Sequence, residues 1–291
     1  MRPLKSLGGV TAALEGHRKM KTRIMTAAIA LPLLLIILLA FPKVVAAILL
    51  GLMFALAAYE LLMATGFVKN IRLVIYSAVM ALLVALWSYF GCSQVWGSAG
   101  LLVFMAALFT EMMLSHIKLR FDKIAACFVA AVLIPYLFSA IIRIHTVDGT
   151  GRFFVLIPFI IAFISDSGAY FAGLYFGRRK LAPVISPKKT VEGAIGGVIA
   201  AVLGMLLYMF IVDIAFGFTV NYLAVIFYAI ICSAAGVFGD LCFSVIKRQS
   251  GIKDYGTLIP GHGGILDRFD SMVIVAPLVE ILLAIIPVAV K

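Results

Sequence analysis

Residues 222–270 read YLAVIFYAIICSAAGVFGDLCFSVIKRQSGIKDYGTLIPGHGGILDRFD. The first part, 222–246, is an apolar run of the length that crosses a bilayer as one α-helix. The second part, 247–270, concentrates lysine, arginine, aspartate, histidine and glycine. The stretch therefore predicts a membrane helix that opens directly into a polar site.

The composition of the whole chain indicates a membrane protein. The chain is 64% hydrophobic and only 13% charged, and its mean hydropathy is +1.17. Soluble globular domains carry charged side chains at about 25% of their positions, so that class is excluded. The four cysteines (Cys92, Cys127, Cys232 and Cys242) stand singly in or beside apolar segments, which predicts neither a disulfide framework nor a zinc site.

Similar apolar runs recur along the chain. Runs of about 17–25 residues predict about nine transmembrane helices and hence an all-α, polytopic integral membrane protein. The first run is short, and small residues follow it, so a cleaved signal peptide is the alternative there; the immediate start of the next run favours an uncleaved span. The predicted spans are 24–41, 44–64, 72–90, 99–115, 124–142, 153–176, 193–217, 222–246 and 271–290.

The basic residues predict the orientation. If the basic segment 1–23 is cytoplasmic, alternate loops on that side collect most of the 24 lysines and arginines, as membrane proteins generally show. The chain then divides into this segment, about five N-terminal helices in 24–142, and a catalytic region of about four helices in 143–291. The net charge of +11 is read as loop charge that meets anionic headgroups, with no nucleic-acid partner. The opposite side keeps only Lys43, Arg143, Arg152 and Lys291.

The loop 247–270, which we call the polar loop, has the composition of a site for phosphate and metal. Its glycines allow backbone N–H groups to turn toward an anion. Asp267 and Asp270, three positions apart, share a face if they open a helix. Carboxylates beside phosphate-binding lysines and arginines usually indicate a divalent metal that bridges carboxylate and phosphate. Its charged side chains are Lys247, Arg248, Lys253, Asp254, His262, Asp267, Arg268 and Asp270.

The loop 177–193 is the second basic loop, and the same topology places it on the cytoplasmic side. Its segment from Ser186 to Gly193 reads SPKKTVEG. Ser186 is expected to cap a helix whose first residue is Pro187, so that exposed N–H groups and the ammonium groups of Lys188 and Lys189 favour an anion.

Several carboxylates fall inside or at the ends of predicted spans. Asp166 lies near the middle of a span, where an isolated charge is costly, so it should face a partner or a hydrated cavity. Asp240, Ser244 and Lys247 lie on one face of the predicted helix, toward the polar loop. Asp240 and Asp267 together provide two carboxylates for one Mg2+. Glu60 and Glu111 are expected to cap or to reach the interface, and Glu280 to pair with a neighbouring helix.

The residues from Ser244 to Asp270 resemble the signature of the phosphatidate cytidylyltransferases, S-x-x-K-R-x(4)-K-D-x-G-x(3)-P-x-H-G-G-x-x-D-R-x-D, without a gap. The S-P-K-K-T-x-E-G segment and the D-x-x-A-Y-x-x-G-x-x-F-G pattern from Asp166 to Gly177 resemble the same family. The resemblance implies transfer of the cytidylyl group of CTP to phosphatidate, giving CDP-diacylglycerol and pyrophosphate. It also allows a second cation such as K+ beside Mg2+ and suggests a homodimer. The compact chain suggests an enzyme of a bacterial inner membrane.

The resemblance assigns expected roles to residues. The metal is expected on Asp240 and Asp267. The expected catalytic residues are Asp240, Asp267, Asp270, Lys247, Arg248 and His262, with His262 donating to phosphate. The expected substrate-binding residues are Ser186, Lys188, Lys189, Thr190, Glu192, Lys253, Asp254, Gly263, Gly264, Arg268 and Asp166.

Two alternative functions stay open on the sequence. A CTP-dependent polyprenol or phytol kinase would transfer the γ-phosphoryl group to a lipid alcohol, but the complete signature argues against it. A transporter of a phosphorylated substrate would show inverted repeats and broken helices at the bilayer centre, whereas the polar groups here gather in loops.

Overall fold

The computed structural model describes residues 32–115, 118–256, 258 and 263–290. In that part of the chain, seven helices are long and apolar enough to cross a membrane. They are α1 (Lys43–Ala64), α2 (Ile71–Phe90), α3 (Gln94–Leu114), α4 (Phe121–Thr146), α5 (Gly151–Phe176), α6 (Val191–Phe216) and α7 (Tyr222–Gln249). Two shorter helices follow, α8 (Leu266–Phe269) and α9 (Met272–Ile285).

The helices follow the predicted apolar runs, and the architecture is that of a polytopic membrane protein. Seven of the predicted spans coincide with α1 to α7. The last predicted span is only partly helical, because α9 has 14 residues and Pro277 lies inside it. Residues 32–40 of the first predicted span are helical, while the basic segment 1–23 and the start of that span lie outside the described residues.

Helix α4 is irregular and longer than predicted. A π-helical turn at Val129–Leu133 separates its first segment from the rest. Pro135 follows this turn; it has no N–H to donate, which removes one hydrogen bond of the regular α-helical pattern. The helix then continues to Thr146, so Arg143 lies inside it rather than in a loop, and the predicted boundary between residues 142 and 143 falls within a helix.

The fold is not purely helical. Strand β1 (Lys180–Ala182) pairs antiparallel with β2 (Ser186–Thr190), and a second small sheet joins β3 (Thr219–Val220) to β4 (Ala289–Val290). Such short strands lack the longer alternation by which a strand is recognised in a sequence. We refer to β1 and β2 with their turn, residues 180–190, as the basic hairpin.

The prediction that Ser186 caps a helix is wrong. Ser186 and Pro187 lie in β2, where pairing with β1 holds the backbone extended. The helix α6 begins at Val191, and Thr190 is its N-cap: the Thr190 hydroxyl oxygen accepts a hydrogen bond from the N–H of Gly193 at 3.1 Å. Lys188 and Lys189, which the sequence predicts to bind phosphate, therefore stand on a strand that precedes the helix.

Helices α5 and α6 pack with their backbones unusually close. A Cβ atom on Gly196 would overlap the Cβ of Ala172, and one on Gly168 would overlap the Cβ of Ala200. Small residues allow such approach between membrane helices. Large apolar side chains of α6, among them Leu203 and Leu207, are exposed, as expected for contact with lipid.

Hydrogen bonds tie the helix ends into two groups. At one end, the Lys43 ammonium donates to the carbonyl of Thr146 at 3.0 Å, and the N–H of Asn221 donates to the carbonyl of Val288 at 2.9 Å. At the other end, the Arg248 side chain donates to the carbonyl of Ile185 at 3.1 Å. The two polar loops predicted from the sequence thus lie together at this second end.

One ion pair joins α4 to α9. The Arg143 guanidinium donates to both oxygens of Glu280, from Nε at 2.6 Å and from Nη2 at 2.7 Å. Arg143 also donates to the Ser139 hydroxyl at 2.7 Å and lies over the ring of Tyr136. The partner that the sequence left unassigned for Glu280 is therefore Arg143.

We expect Glu280→Gln to lower the stability of the folded protein without changing its catalytic rate. The substitution leaves the Arg143 cation without its counter-charge, which costs about 1–3 kcal/mol for a partly buried pair. Thermal unfolding in detergent measures the loss. Replacing both residues, in Arg143→Met with Glu280→Met, should recover part of it; a double variant as unstable as Glu280→Gln would contradict this account.

Candidate active site

A cavity of about 460 Å3 lies between α5, the basic hairpin, the start of α6 and α7. Its polar walls carry both signs of charge, and its apolar walls come from the membrane helices. The residues that line it are Asp166, Ala169, Tyr170, Gly173, Leu174, Lys180, Leu181, Lys188, Lys189, Thr190, Gly193, Ala194, Val237 and Asp240. Five of the residues predicted as site residues therefore meet in one place: Asp166, Lys188, Lys189, Thr190 and Asp240.

Asp240 is the carboxylate of α7 that faces this cavity. Its Oδ2 forms an ion pair with the Lys189 ammonium of the basic hairpin, and its Oδ1 accepts a hydrogen bond from the Ser244 hydroxyl at 3.2 Å. The Asp240 side chain keeps 27% of its surface exposed. Asp240 is thus both anchored by the protein and open to a ligand.

Asp166 lies across the cavity on α5. It accepts no hydrogen bond from any residue that the structure describes, although Asp240, Lys189 and Arg268 are close enough to act on its charge. The sequence prediction that this carboxylate faces a hydrated cavity is consistent with this placement. Its oxygens are free to meet a cation or a donor group of a substrate.

Asp267 is held differently, because it is enclosed by the protein. Its Oδ1 accepts from the Lys247 ammonium at 2.9 Å, and its Oδ2 accepts from the N–H of Tyr255 at 2.7 Å and of Gly264 at 3.0 Å. Only 2% of its side chain is exposed. Asp267 therefore connects α7, the middle of the polar loop and α8.

Lys247 is buried beside two carboxylates. Besides Asp267, its ammonium lies 3.7 Å from Oδ2 of Asp270, and it lies 5.3 Å from the centre of the Tyr255 ring. Lysine was expected here as a phosphate ligand. The structure instead places its charge against Asp267 and Asp270, where it balances carboxylates that have been removed from water.

Asp270 ends α8 and lies near Asp240. Burial raises the pKa of the Asp270 carboxyl to about 7, with the charge of Asp240 acting in the same direction and the Lys247 ammonium opposing it. Asp270 also accepts from the N–H of Ser271 at 2.8 Å. The charges of Asp166, Asp240 and Asp270 thus act on one another, and the Lys189 and Lys247 ammonium groups lie among them.

The donor atoms of this region fit a cation that shares its ligands with substrate. Among the described residues, no three His, Cys, Asp or Glu side chains converge into a metal site made of protein alone. Mg2+ usually takes one or two carboxylates and completes its shell with water and phosphate oxygens. Asp240 offers accessible oxygen, and Asp267 uses three of about four lone-pair positions for its hydrogen bonds.

Two further predicted residues support the basic hairpin. Glu192 accepts hydrogen bonds from the backbone N–H groups of Arg178 and Arg179 at 3.0–3.2 Å, and this closes the base of the hairpin. Arg248 donates to the carbonyl of Ile185 at the hairpin turn. Both were expected to act on substrate or in catalysis, and the structure shows that each also positions the hairpin.

The remaining predicted residues lie along the polar loop. Lys253, Asp254 and Arg268 are exposed, and the positive charge of Arg268 acts on Asp166. Gly263 has a positive φ of 90°, which favours glycine, and Gly264 donates to Asp267. His262 lies outside the described residues.

The sequence did not identify some residues of this region. Lys180 lines the cavity, although the sequence alone assigned it no role; its place beside the S-P-K-K-T segment was the available signal. Tyr170 belongs to the D-x-x-A-Y pattern, yet no role was assigned to it. Glu60 of α1 contacts the polar loop from a distant part of the chain, and no local pattern indicates this partner.

Comparison with known proteins identifies the family of this chain. The model of the cytidylyltransferase family matches residues 21–286. A phosphatidate cytidylyltransferase of Staphylococcus haemolyticus is 35% identical over 269 residues, covering 91% of this chain and 99% of that protein. The protein of the same name from Bacillus subtilis is 33% identical over 273 residues, covering 91% and 98%. The chain therefore belongs to the cytidylyltransferase family.

Proposed function

We infer that this protein transfers the cytidylyl group of CTP to phosphatidate and releases pyrophosphate, which yields CDP-diacylglycerol for phospholipid synthesis. The observation that carries the inference is the full-length match to bacterial proteins named phosphatidate cytidylyltransferase. The cavity supports it, because lysines and carboxylates meet there beside helices that face lipid.

The basic hairpin is the proposed binding site for the triphosphate of CTP. Lys180, Lys188 and Lys189 line the cavity on this side, and charge-assisted hydrogen bonds from lysine to phosphate are strong. Lys189 exchanges its contact with Asp240 for a phosphate oxygen when the nucleotide enters. We expect Thr190 and Arg268 to add donors at the edges of the same site.

The apolar part of the cavity is the proposed route for the lipid. Tyr170 and Leu174 line the cavity while 66% and 62% of their surface remains exposed on α5. A phosphatidate molecule can therefore bring its phosphate to the charged wall while its acyl chains stay among membrane lipids. This arrangement requires no transfer of the acyl chains through water, which would be costly.

The reaction needs positioning more than covalent help from the protein. An oxygen of the phosphatidate phosphate attacks the α-phosphorus of CTP, and the bond from that phosphorus to the bridging oxygen of the leaving pyrophosphate breaks. The nucleophile is already anionic, so no base has to remove a proton. The side chains hold the two phosphates in line and balance their charge.

We propose that Asp240 and Asp267 bind Mg2+, which would supply positive charge to the phosphate oxygens. Asp240 is the more accessible of the two, while Asp267 also fixes the loop. Asp166 and Asp270 lie near enough to Asp240 to influence the same cation electrostatically. Lys247 keeps the buried carboxylates from repelling each other.

We further propose that the protein lies in a bacterial inner membrane with this site on the cytoplasmic side. The basic loops that the sequence assigns to the cytoplasm come from the end of the molecule that carries the cavity. Nucleotides are available on that side. A homodimer is a further expectation from the family resemblance.

The reaction is tested with CTP labelled at the α-phosphate and with CTP labelled at the γ-phosphate. Purified protein in detergent micelles with phosphatidate and Mg2+ should move only the α-label into a chloroform-soluble product, and chelation of the metal should stop this. Transfer of the γ-label to lipid would instead identify a kinase. Binding of CTP without any product would favour the transport alternative.

We expect Lys189→Ala to raise the KM for CTP by roughly 10–100-fold, because a charge-assisted bond to phosphate contributes about 1.5–3 kcal/mol. Lys69→Ala is the matched control, since Lys69 is an exposed lysine outside the cavity lining. Steady-state kinetics in mixed micelles measures both. Equal KM values for the two variants would contradict the proposed nucleotide site.

Asp240→Asn and Asp267→Asn should fail in different ways. Both should reduce the rate by about 100-fold or more, because each removes a proposed metal ligand. Only Asp267→Asn should also lower thermal stability, by about 3 kcal/mol, since it leaves the buried Lys247 cation with weaker compensation. Activity and unfolding are measured on the same preparations; equal melting temperatures for the two variants would show that the buried pair is not stabilising.

A further inference from the structure

Glu60 reaches from α1 into the polar loop. Its Oε1 accepts a hydrogen bond from the N–H of Ile265 at 3.1 Å, and its Oε2 accepts one from the N–H of Leu266 at 3.0 Å. The residue is 5% exposed, so these bonds are shielded from water. A carboxylate buried in this way is stable only when such donors satisfy both of its oxygens.

The polar loop is shaped around this carboxylate. A Cβ atom on Gly256 would lie 2.6 Å from Glu60 Oε1, and one on Gly264 would overlap the carboxylate group. Two separate parts of the loop therefore pass directly against Glu60. The two glycines leave the space that the Glu60 carboxylate occupies. A larger residue at either position would push the loop away from α1.

The contact lies immediately before Asp267. Leu266, whose N–H binds Glu60, is the first residue of α8, and Asp267 is the second. The end of α8 is also held by aromatic packing. The ring centre of Phe269 lies 5.5 Å from that of Phe138 in α4, and the ring centre of Phe138 lies 4.9 Å from that of Phe54 in α1. Helix α1 and helix α4 thus hold both sides of the short helix that carries Asp267.

We propose that Glu60 is a positioning residue for the polar loop. It fixes the peptide groups that precede Asp267 and thereby sets the positions of the Asp267 and Asp270 carboxylates relative to Asp240. This rests on the proposed function. Of the described residues, those that line the cavity do not include Glu60, and both of its oxygens are used by backbone donors. It therefore acts through the loop and not on the substrate.

The test compares Glu60→Gln with Glu111→Gln. The glutamine at position 60 keeps the shape but replaces one accepting oxygen by an NH2 group that faces an N–H. Glu111 is the matched control, because it is a carboxylate of α3 that contacts Arg72 at 3.6 Å and the Tyr76 hydroxyl at 3.4 Å, away from the polar loop. We expect Glu111→Gln to behave as wild type in the catalytic assay.

For Glu60→Gln we expect kcat to fall by roughly tenfold, since a small displacement of catalytic groups is costly. The KM for CTP should stay near that of wild type, because the proposed triphosphate ligands stand on the basic hairpin. The Mg2+ concentration for half-maximal rate should rise several-fold. Hydrogen exchange at the amides of Ile265 and Leu266, measured without substrates, should become faster.

A change that affects only the folded fraction or the melting temperature, with kcat per folded molecule and the Mg2+ dependence unchanged, would overturn the proposal. Unchanged exchange at the two amides would also overturn it. If Glu60→Gln does not fold, Gly256→Ala tests the same contact from the loop side and should show the same kinetic pattern. If wild type forms no CDP-diacylglycerol, the proposed reaction is wrong, while the exchange measurement still decides whether Glu60 orders the loop.

Discussion

The buried pair of Lys247 and Asp267 is the interaction on which the end of the molecule that carries the candidate site depends. Each charge alone would be expensive to remove from water, and their contact at 2.9 Å offsets that cost only while the surrounding donors stay in place. Those donors are the backbone N–H groups of Tyr255 and Gly264, which come from separate parts of the loop. Asp267 thereby fixes the backbone at Tyr255 and at Gly264, on either side of the pair.

Two contacts hold the walls of the cavity in place. On one wall, the close packing of α5 on α6 fixes Asp166 relative to the start of α6 through backbone contact. On the other, the ion pair of Lys189 with Asp240 joins the basic hairpin to α7. The opposite charges stabilise each other in the absence of substrates, and in the proposed reaction they become available to phosphate and cation when the pair separates. Such pairing lowers the free-energy cost of keeping charged groups inside an apolar protein.

The helices could be predicted from the sequence because membrane spans leave a continuous apolar signal, and α1 to α7 follow it. Five polar residues that line the cavity could be proposed from the sequence, because charged side chains are rare inside the apolar spans and gather in two loops. The basic hairpin could not, since its strands are short and polar, and Ser186 and Pro187 match a helix start equally well. The partners of Glu60 and Glu280 lie far away in the sequence, at Leu266 and Arg143, and no periodicity connects such positions.

The backbone contact between α5 and α6 has a consequence for the protein in its lipid surroundings. Long side chains at a helix interface can change rotamer when a bilayer becomes thinner or more fluid, and the helices then slide or tilt. Gly168 and Gly196 leave no such freedom, because the main chain of one helix meets the Cβ atoms of the other. We therefore expect the spacing between Asp166 and the start of α6 to respond less to a change in bilayer thickness than it would if long side chains separated the two backbones.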